Sequence, residues 1–323
     1  MLDARDETVS RQLSRQLSLF SPVGAAKPSD DVSVIAERMP DGLYLGTSSW
    51  SFPGWEGIVY DRKVTQSVLA RHGLAAYAQH PLFSTVCIDR TYYGPISKAE
   101  FADYADAVPE HFRFVVKAHE MLTRIRMKDD VSSLNPQFLD VDYAMEEVIG
   151  PCLEGLEARA AVLLLQFPPQ RVDSIDGFSE KLHRFLGKLP KDLLYAIELR
   201  NPELLSDTYI QAINEVGACH CFNVHPTMPS IEEQARRVDA SSLPAVVVRW
   251  MLARQRTYGD AKDAFYPFNA LAEPDAGSRK AIATLCRRAR RAFVIVNNKA
   301  EGSAPLSLVR LAEEFVRHEE PSS

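Results

Sequence analysis

The chemistry open to this chain rests on polar side chains that close short apolar runs. Lys117, Glu198 and Asp89 are the reactive ones, Arg200 and Arg249 carry fixed positive charge, and Thr47, Ser48, Gln166, Asn297 and Asn298 add hydroxyls and amides. A carboxylate among cations suits general-base work, Glu198 or Asp89 taking a proton while Lys117 stabilises developing negative charge. Lysine, two arginines and amide donors at one place suit an anionic ligand, a phosphate or a carboxylate. Trp50 and Tyr92 lie in the first two loops with Phe52, Trp55 and Tyr93, and offer rings for stacking on a ligand; Trp55 is better read as loop packing. Schiff-base chemistry at Lys117 is the less favoured use, because nothing beside it in sequence argues for its desolvation.

These residues can work together only if the fold brings the ends of their runs to one place. Nearly all-apolar, β-branched runs occur at 43–47, 85–89, 112–117, 161–166, 194–199, 219–222, 246–250 and 293–297, which is the pattern of parallel strands buried on both faces. Helical patterns fill the intervals, as at 65–78, 98–107, 175–186 and 305–316. The repeat is about 36 residues, and eight units in ~250 residues is the size and count of a (β/α)8 TIM barrel, an α/β fold. An open doubly wound sheet is the alternative; it usually carries a Gly-rich first turn, and Gly46-Thr47-Ser48-Ser49 has one glycine. In a barrel the strand ends converge at the C-terminal face. Strand alternation then puts Lys117 on the side of Val115, Gln166 with Leu164, Glu198 with Ala196, Arg249 with Val247 and Asn297 with Ile295.

Composition narrows the function classes. The chain has 323 residues, 46% hydrophobic and 25% charged, with a net charge of −6, so it is neither disordered throughout nor a nucleic-acid polycation. No apolar run approaches the ~20 residues of a membrane helix, and the first twenty residues hold no signal-peptide core, so a cytoplasmic location and no membrane partner are expected. Five scattered cysteines fit a reducing compartment. Cys219-His220-Cys221 with His225 suggests a metal site, but strand neighbours alternate faces, so His220 opposes both cysteines and no metal is expected. Neither a Gly-x-Ser-x-Gly elbow nor a Walker-type phosphate loop is present, Cys87 has no His partner in sequence, and no cofactor is implied.

Residues 1–41 read as a flexible arm rich in Ser, Pro and Asp, residues 42–317 as the barrel, and 318–323 as a frayed tail. The arm repeats Arg-Gln-Leu-Ser in tandem and continues to Leu19-Phe20. Its Gln16, Leu17, Leu19 and Phe20 resemble the short peptide by which bacterial replication and repair proteins dock on the DNA sliding clamp. An amphipathic piece resting on its own barrel is the plainer reading of the same residues.

A wider resemblance covers residues 43–311. Leu45-Gly46-Thr47-Ser48-Ser49-Trp50 with Pro53-Gly54-Trp55, Thr91-Tyr92-Tyr93, Phe112 to Ala118, Gln166-Phe167-Pro168-Pro169, Ile197 to Pro202, Val248-Arg249 and Val296-Asn297-Asn298 resemble, in order, the domain of unknown function 72 family of YecE-like proteins. The resemblance implies a TIM barrel and brings no established reaction. This sequence departs from the family's pattern at Cys87 and Asp89 (usually Glu and Asn), at Asn201 (usually His), at Met251-Leu252 (usually His-Gly) and at Lys299 (usually an acid). Two readings follow. One is an enzyme acting on a small anionic or phosphorylated substrate at the strand ends, as a metal-independent hydrolase, lyase or isomerase. The other is a DNA-metabolism accessory protein tethered to the clamp by its arm, its barrel binding nucleic acid or catalytically inactive.

Overall fold

In a computed structural model, which describes residues 23–317, eight parallel strands close into one barrel. They are β1 Leu43–Thr47, β2 Thr85–Ile88, β3 Arg113–Lys117, β4 Ala160–Gln166, β5 Leu194–Glu198, β6 Cys219–Val224, β7 Val246–Trp250 and β8 Ala292–Val296. Closure is made by β1 on β8, in register from Leu43 opposite Ala292 to Thr47 opposite Val296. An open sheet is thereby ruled out.

Two apolar layers hold the barrel, and strand alternation assigns residues to each. The inner one takes Tyr44, Cys87, Val115, Leu164, Ala196, Cys221, Val247, Phe293 and Ile295. Within it Tyr44 and Phe293 stack with ring centroids 4.6 Å apart. The alternate residues, such as Leu45, Val86, Val116, Leu163, Ile197, Phe222, Val248 and Val294, face the helices. Each such side chain contributes about 1.5–3 kcal/mol when fully buried, which explains why nearly all-apolar strands fix this architecture. Hydroxyl and carboxylate caps start the helices: Ser97 and Ser230 form reciprocal boxes with Glu100 and Glu233, while Ser174, Ser206 and Asp275 cap with one bond each.

Two local expectations are corrected. The helical pattern at 65–78 is two helices, Gln66–His72 and Leu74–Tyr77, broken at Gly73. A Cβ at Gly73 would press on the Leu69 carbonyl, so the close turn there favours glycine. Residues 23–41, expected to belong to a flexible arm, lie packed on the barrel. Val23 is buried, the Ala26 amide donates to the Val59 carbonyl at 2.9 Å, and the Gly24 amide donates to Asp61 Oδ1 at 2.9 Å. Ser29 then caps a helix, Asp30–Glu37, whose Val32, Ile35 and Ala36, with Met39 beyond it, rest on the core. That spacing is the apolar stripe of a surface helix, hidden in sequence by the polar residues around it. The string Gln16, Leu17, Leu19 and Phe20 lies outside the described residues, as does the tail from 318.

Candidate active site

At the C-terminal face the inner layer changes from apolar to charged within one strand step. Val115 is followed inward by Lys117, Ala196 by Glu198 and Val247 by Arg249, and Gln166 stands opposite Glu198 in the β4–β5 register. Glu198 and Arg249 are wholly buried, and Lys117 and Arg200 nearly so.

Glu198 is the hub. Its Oε2 accepts from Arg249 Nη1 at 2.7 Å, and its other oxygen is ion-paired with Arg200 Nη2. Arg249 Nη2 reaches on to both oxygens of Asp89, at 2.9 and 3.0 Å. Burial alone would raise the Glu198 carboxyl, but the charges of Arg200 and then Arg249 outweigh it and hold the group at about 2. Burial works against the Arg249 charge as well, and Asp89 and Glu198 overcome it, so its pKa lies above the ordinary arginine value. Glu198 is therefore held ionised, each of its oxygens ion-paired with one arginine. Asp89, with 28% of its side chain exposed, is the carboxylate that solvent and a ligand can reach.

Lys117 differs from the arginines. Its ammonium lies 3.7 Å from the centroid of the Tyr92 ring, and among the described residues no carboxylate is within ion-pair distance of it. Tyr92 is placed by the turn Asp89–Tyr92 after β2, where the Thr91 hydroxyl bonds the Lys117 carbonyl at 2.5 Å. Burial lowers the Lys117 pKa, and the Arg249 charge adds to that against the opposing pull of Asp89. Desolvation, for which nothing beside Lys117 in sequence argues, is present. Cys87 donates to Asp89 Oδ1 at 3.1 Å, and burial and then Asp89 push its thiol up, so it is a packed thiol and not a thiolate.

The remaining expected residues divide into two groups. Asn297 Nδ2 donates to Ser48 Oγ at 2.8 Å, which sets both on the inner rim. Thr47, Trp50 and Asn298 turn elsewhere. Thr47 shares parity with Leu45 and faces the helices, where its hydroxyl meets Tyr77 Oη at 2.9 Å. The Trp50 indole donates to the Leu69 carbonyl at 3.1 Å and lies edge-on to Tyr104. Asn298 Oδ1 accepts from the Trp55 indole at 3.1 Å and from the Ala304 amide at 2.8 Å, tying the last loop to the first. These side chains hold loops in place. His220 points away from Cys219 and Cys221, to Tyr209 at 3.0 Å and Gln234 at 3.2 Å.

Further residues at the mouth escaped the sequence reading. Asn223 continues the inward series Cys219, Cys221 and stands opposite Arg249 in the β6–β7 register, donating to the Leu199 carbonyl at 3.2 Å. Its signal was the period of two, followed one step past the apolar run. Lys299 lies 4.0 Å from the Tyr258 ring centroid, and burial, then Lys262, lowers its pKa to about 8. Its only sequence signal was that it stands where the resembled family has an acid. His225, lowered to about 4 by burial and then by Arg200, is a neutral neighbour of the same cluster.

Fold and site together define a (β/α)8 barrel with a buried charge cluster at its strand ends. The chain belongs to the family described as Protein of unknown function DUF72, whose model matches residues 44–322. Among solved structures it is similar to a DUF72 family protein from Thermotoga maritima MSB8, at 19% identity and a TM-score of 0.59 over 86% of this chain and 99% of that one. It is also similar to a DUF72 family protein from Enterococcus faecalis V583, at 20% identity and a TM-score of 0.57 over 87% and 97%. None of the curated proteins compared matches the chain. Among the described residues no helix is long and apolar enough to cross a membrane.

Proposed function

We propose that this barrel is an enzyme whose substrate presents an anionic group, phosphate or carboxylate, to the cations at the strand ends. The observation that carries this reading is the state of Arg200. One nitrogen is paired with Glu198, while Nη1 is buried without a hydrogen-bond partner. A buried guanidinium nitrogen left unpaired is costly, and Lys117, Arg200 and Arg249 outnumber Glu198 and Asp89 there. An anion supplies the missing partner and balances the charge. In this arrangement Glu198 fixes the two arginines, Asp89 is the proton-transfer group open to a ligand, and Gln166 and the Asn297–Ser48 pair line the rim.

The test is thermal shift and calorimetry of the full chain with inorganic phosphate. Wild type is stabilised, by about 2.7 kcal/mol at a hundredfold excess over Kd, and Arg200→Gln binds at least about tenfold more weakly. Arg200→Lys keeps the charge and the Glu198 pair, and controls for misfolding. Absence of phosphate binding by wild type at millimolar concentration, or equal binding by Arg200→Gln, refutes the reading.

One observation favours the nucleic-acid alternative. Tyr93 and Tyr258 are 75% and 65% exposed, are electrostatic neighbours, and flank Asp89 and Lys299. Exposed rings beside cations suit stacked bases, and the clamp-like string would bring such a barrel to DNA. Salt-dependent binding of a short single-stranded DNA, lost in Tyr93→Ala, is its signature.

A further inference from the structure

We infer that Lys117 is a nucleophile that forms an imine with a carbonyl carbon of the substrate. The inference deepens the reading of the mouth as an anion-binding active site and rests on it. Three features of the geometry carry it. Lys117 ends β3 on the inner face, one step beyond Val115, at the C-terminal mouth of the barrel. It is 7% exposed and lies on the face of the Tyr92 ring at 3.7 Å, with Asp89, Arg249 and Glu198 as its charged neighbours. Among the described residues it also has no carboxylate within ion-pair distance, whereas Arg200 and Arg249 are both paired with Glu198.

A lysine that served only to hold an anion gains nothing from that setting. An ammonium ion is strongly hydrated, and Arg200 already supplies a fixed charge. Burial beside another cation is how a lysine amine becomes available as a nucleophile near neutral pH. The lowered Lys117 pKa, caused first by burial and helped by Arg249, agrees with that use.

The step balances with groups already present. The neutral Nζ gives its lone pair to the carbonyl carbon, and the C=O π pair moves to oxygen. Asp89 takes a proton from nitrogen and passes it to that oxygen, forming the carbinolamine. A second proton carried the same way lets the hydroxyl leave as water. Amine and carbonyl thus become imine and water, with no oxidant, reductant or net proton required. Asp89 is suited to the shuttle because it is the partly exposed carboxylate of the cluster and the leading charged neighbour of Lys117.

The test is reductive trapping on the full chain at pH 7. Glyoxylate, a small anionic aldehyde, is compared with uncharged glycolaldehyde in the presence of borohydride, and adducts are located by peptide mass spectrometry. The expected result is an adduct at Lys117 formed at least about tenfold faster than at the exposed Lys98 and favoured with glyoxylate, since an ordinary lysine is less than about 0.1% neutral at this pH. Lys117→Arg abolishes that adduct while the rate at Lys98 stays as in wild type. Rates at Lys117 no greater than at Lys98, or adducts concentrated at Lys299, overturn the inference. If phosphate stabilises wild type but Lys117 is not trapped, the nucleophile fails and the anion site stands. If Lys117 is trapped equally by both aldehydes and phosphate does not bind, the anion reading fails and the nucleophile stands.

Discussion

Replacing Glu198 with glutamine removes the charge that two buried arginines share. Holding that carboxyl at about 2, where an ordinary glutamate sits at 4.5, is worth about 3 kcal/mol of folding free energy at pH 7, at roughly 1.36 kcal/mol per pH unit. The unfolded carboxyl binds its proton more readily than the folded one. Stability from this group is therefore complete above pH 4.5 and is lost as pH falls towards 2; about 2 of the ~3 kcal/mol have gone by pH 3. A second route gives a similar size, since removing one partner from a buried ion pair costs about 3–5 kcal/mol. Urea denaturation of wild type and Glu198→Gln between pH 3 and pH 7 reads the difference directly. The gap is expected to be about 3 kcal/mol at pH 7 and about 1 kcal/mol at pH 3, with the curves converging because glutamine mimics the protonated side chain. A gap below 1 kcal/mol at pH 7, or one that does not change with pH, refutes the hub role of Glu198.

Two further outcomes are expected. Gly46→Ala drives a Cβ into the Thr85 backbone carbonyl where β1 meets β2, so the variant should fail to give a cooperatively folded barrel; a wild-type-like thermal transition by circular dichroism counts against the close approach of these strands. A peptide spanning residues 11–22 is expected to bind a bacterial DNA sliding clamp through three apolar anchors, each contributing ~1.5–3 kcal/mol when buried, with Gln16 adding a hydrogen bond. Calorimetry showing no binding at roughly 100 μM, or binding indifferent to Leu19→Ala and Phe20→Ala, removes the tethered reading.

The barrel was legible because its strands announce themselves one at a time. Each apolar run is set by residues adjacent in sequence, and a regular recurrence leaves few ways to close the sheet. The inward set at the mouth was legible for the same reason: Val115 predicts the face of Lys117, and Ala196 that of Glu198. The rule weakens where the strand ends. Tyr44, Gly46 and Ser48 share the inner side, so parity followed from Tyr44 turns Thr47 outward; its position at the end of the run alone does not reveal that. Trp50 and Asn298 lie beyond the last paired residue, and their partners, Leu69 for the one and Trp55 with Ala304 for the other, are fixed by loop paths that no period describes.

The desolvation of Lys117 is of this second kind. Burial under a ring from the turn after β2 and the charge of an arginine from β7 together lower its pKa, and neither group is near it in the chain. Residue type and parity locate a charged group, whereas the groups that set its protonation come from other strands. This is why the sequence favours Lys117 as a stabilising cation, and the packed barrel favours it as an amine. The two uses demand opposite protonation states of the same nitrogen, so they cannot both dominate near neutral pH. A titration that follows Lys117 alone, such as the pH dependence of its trapping rate in wild type, separates them. A rate that levels off before pH 10 belongs to the nucleophile, and one still rising tenfold per unit up to pH 10 belongs to the fixed cation.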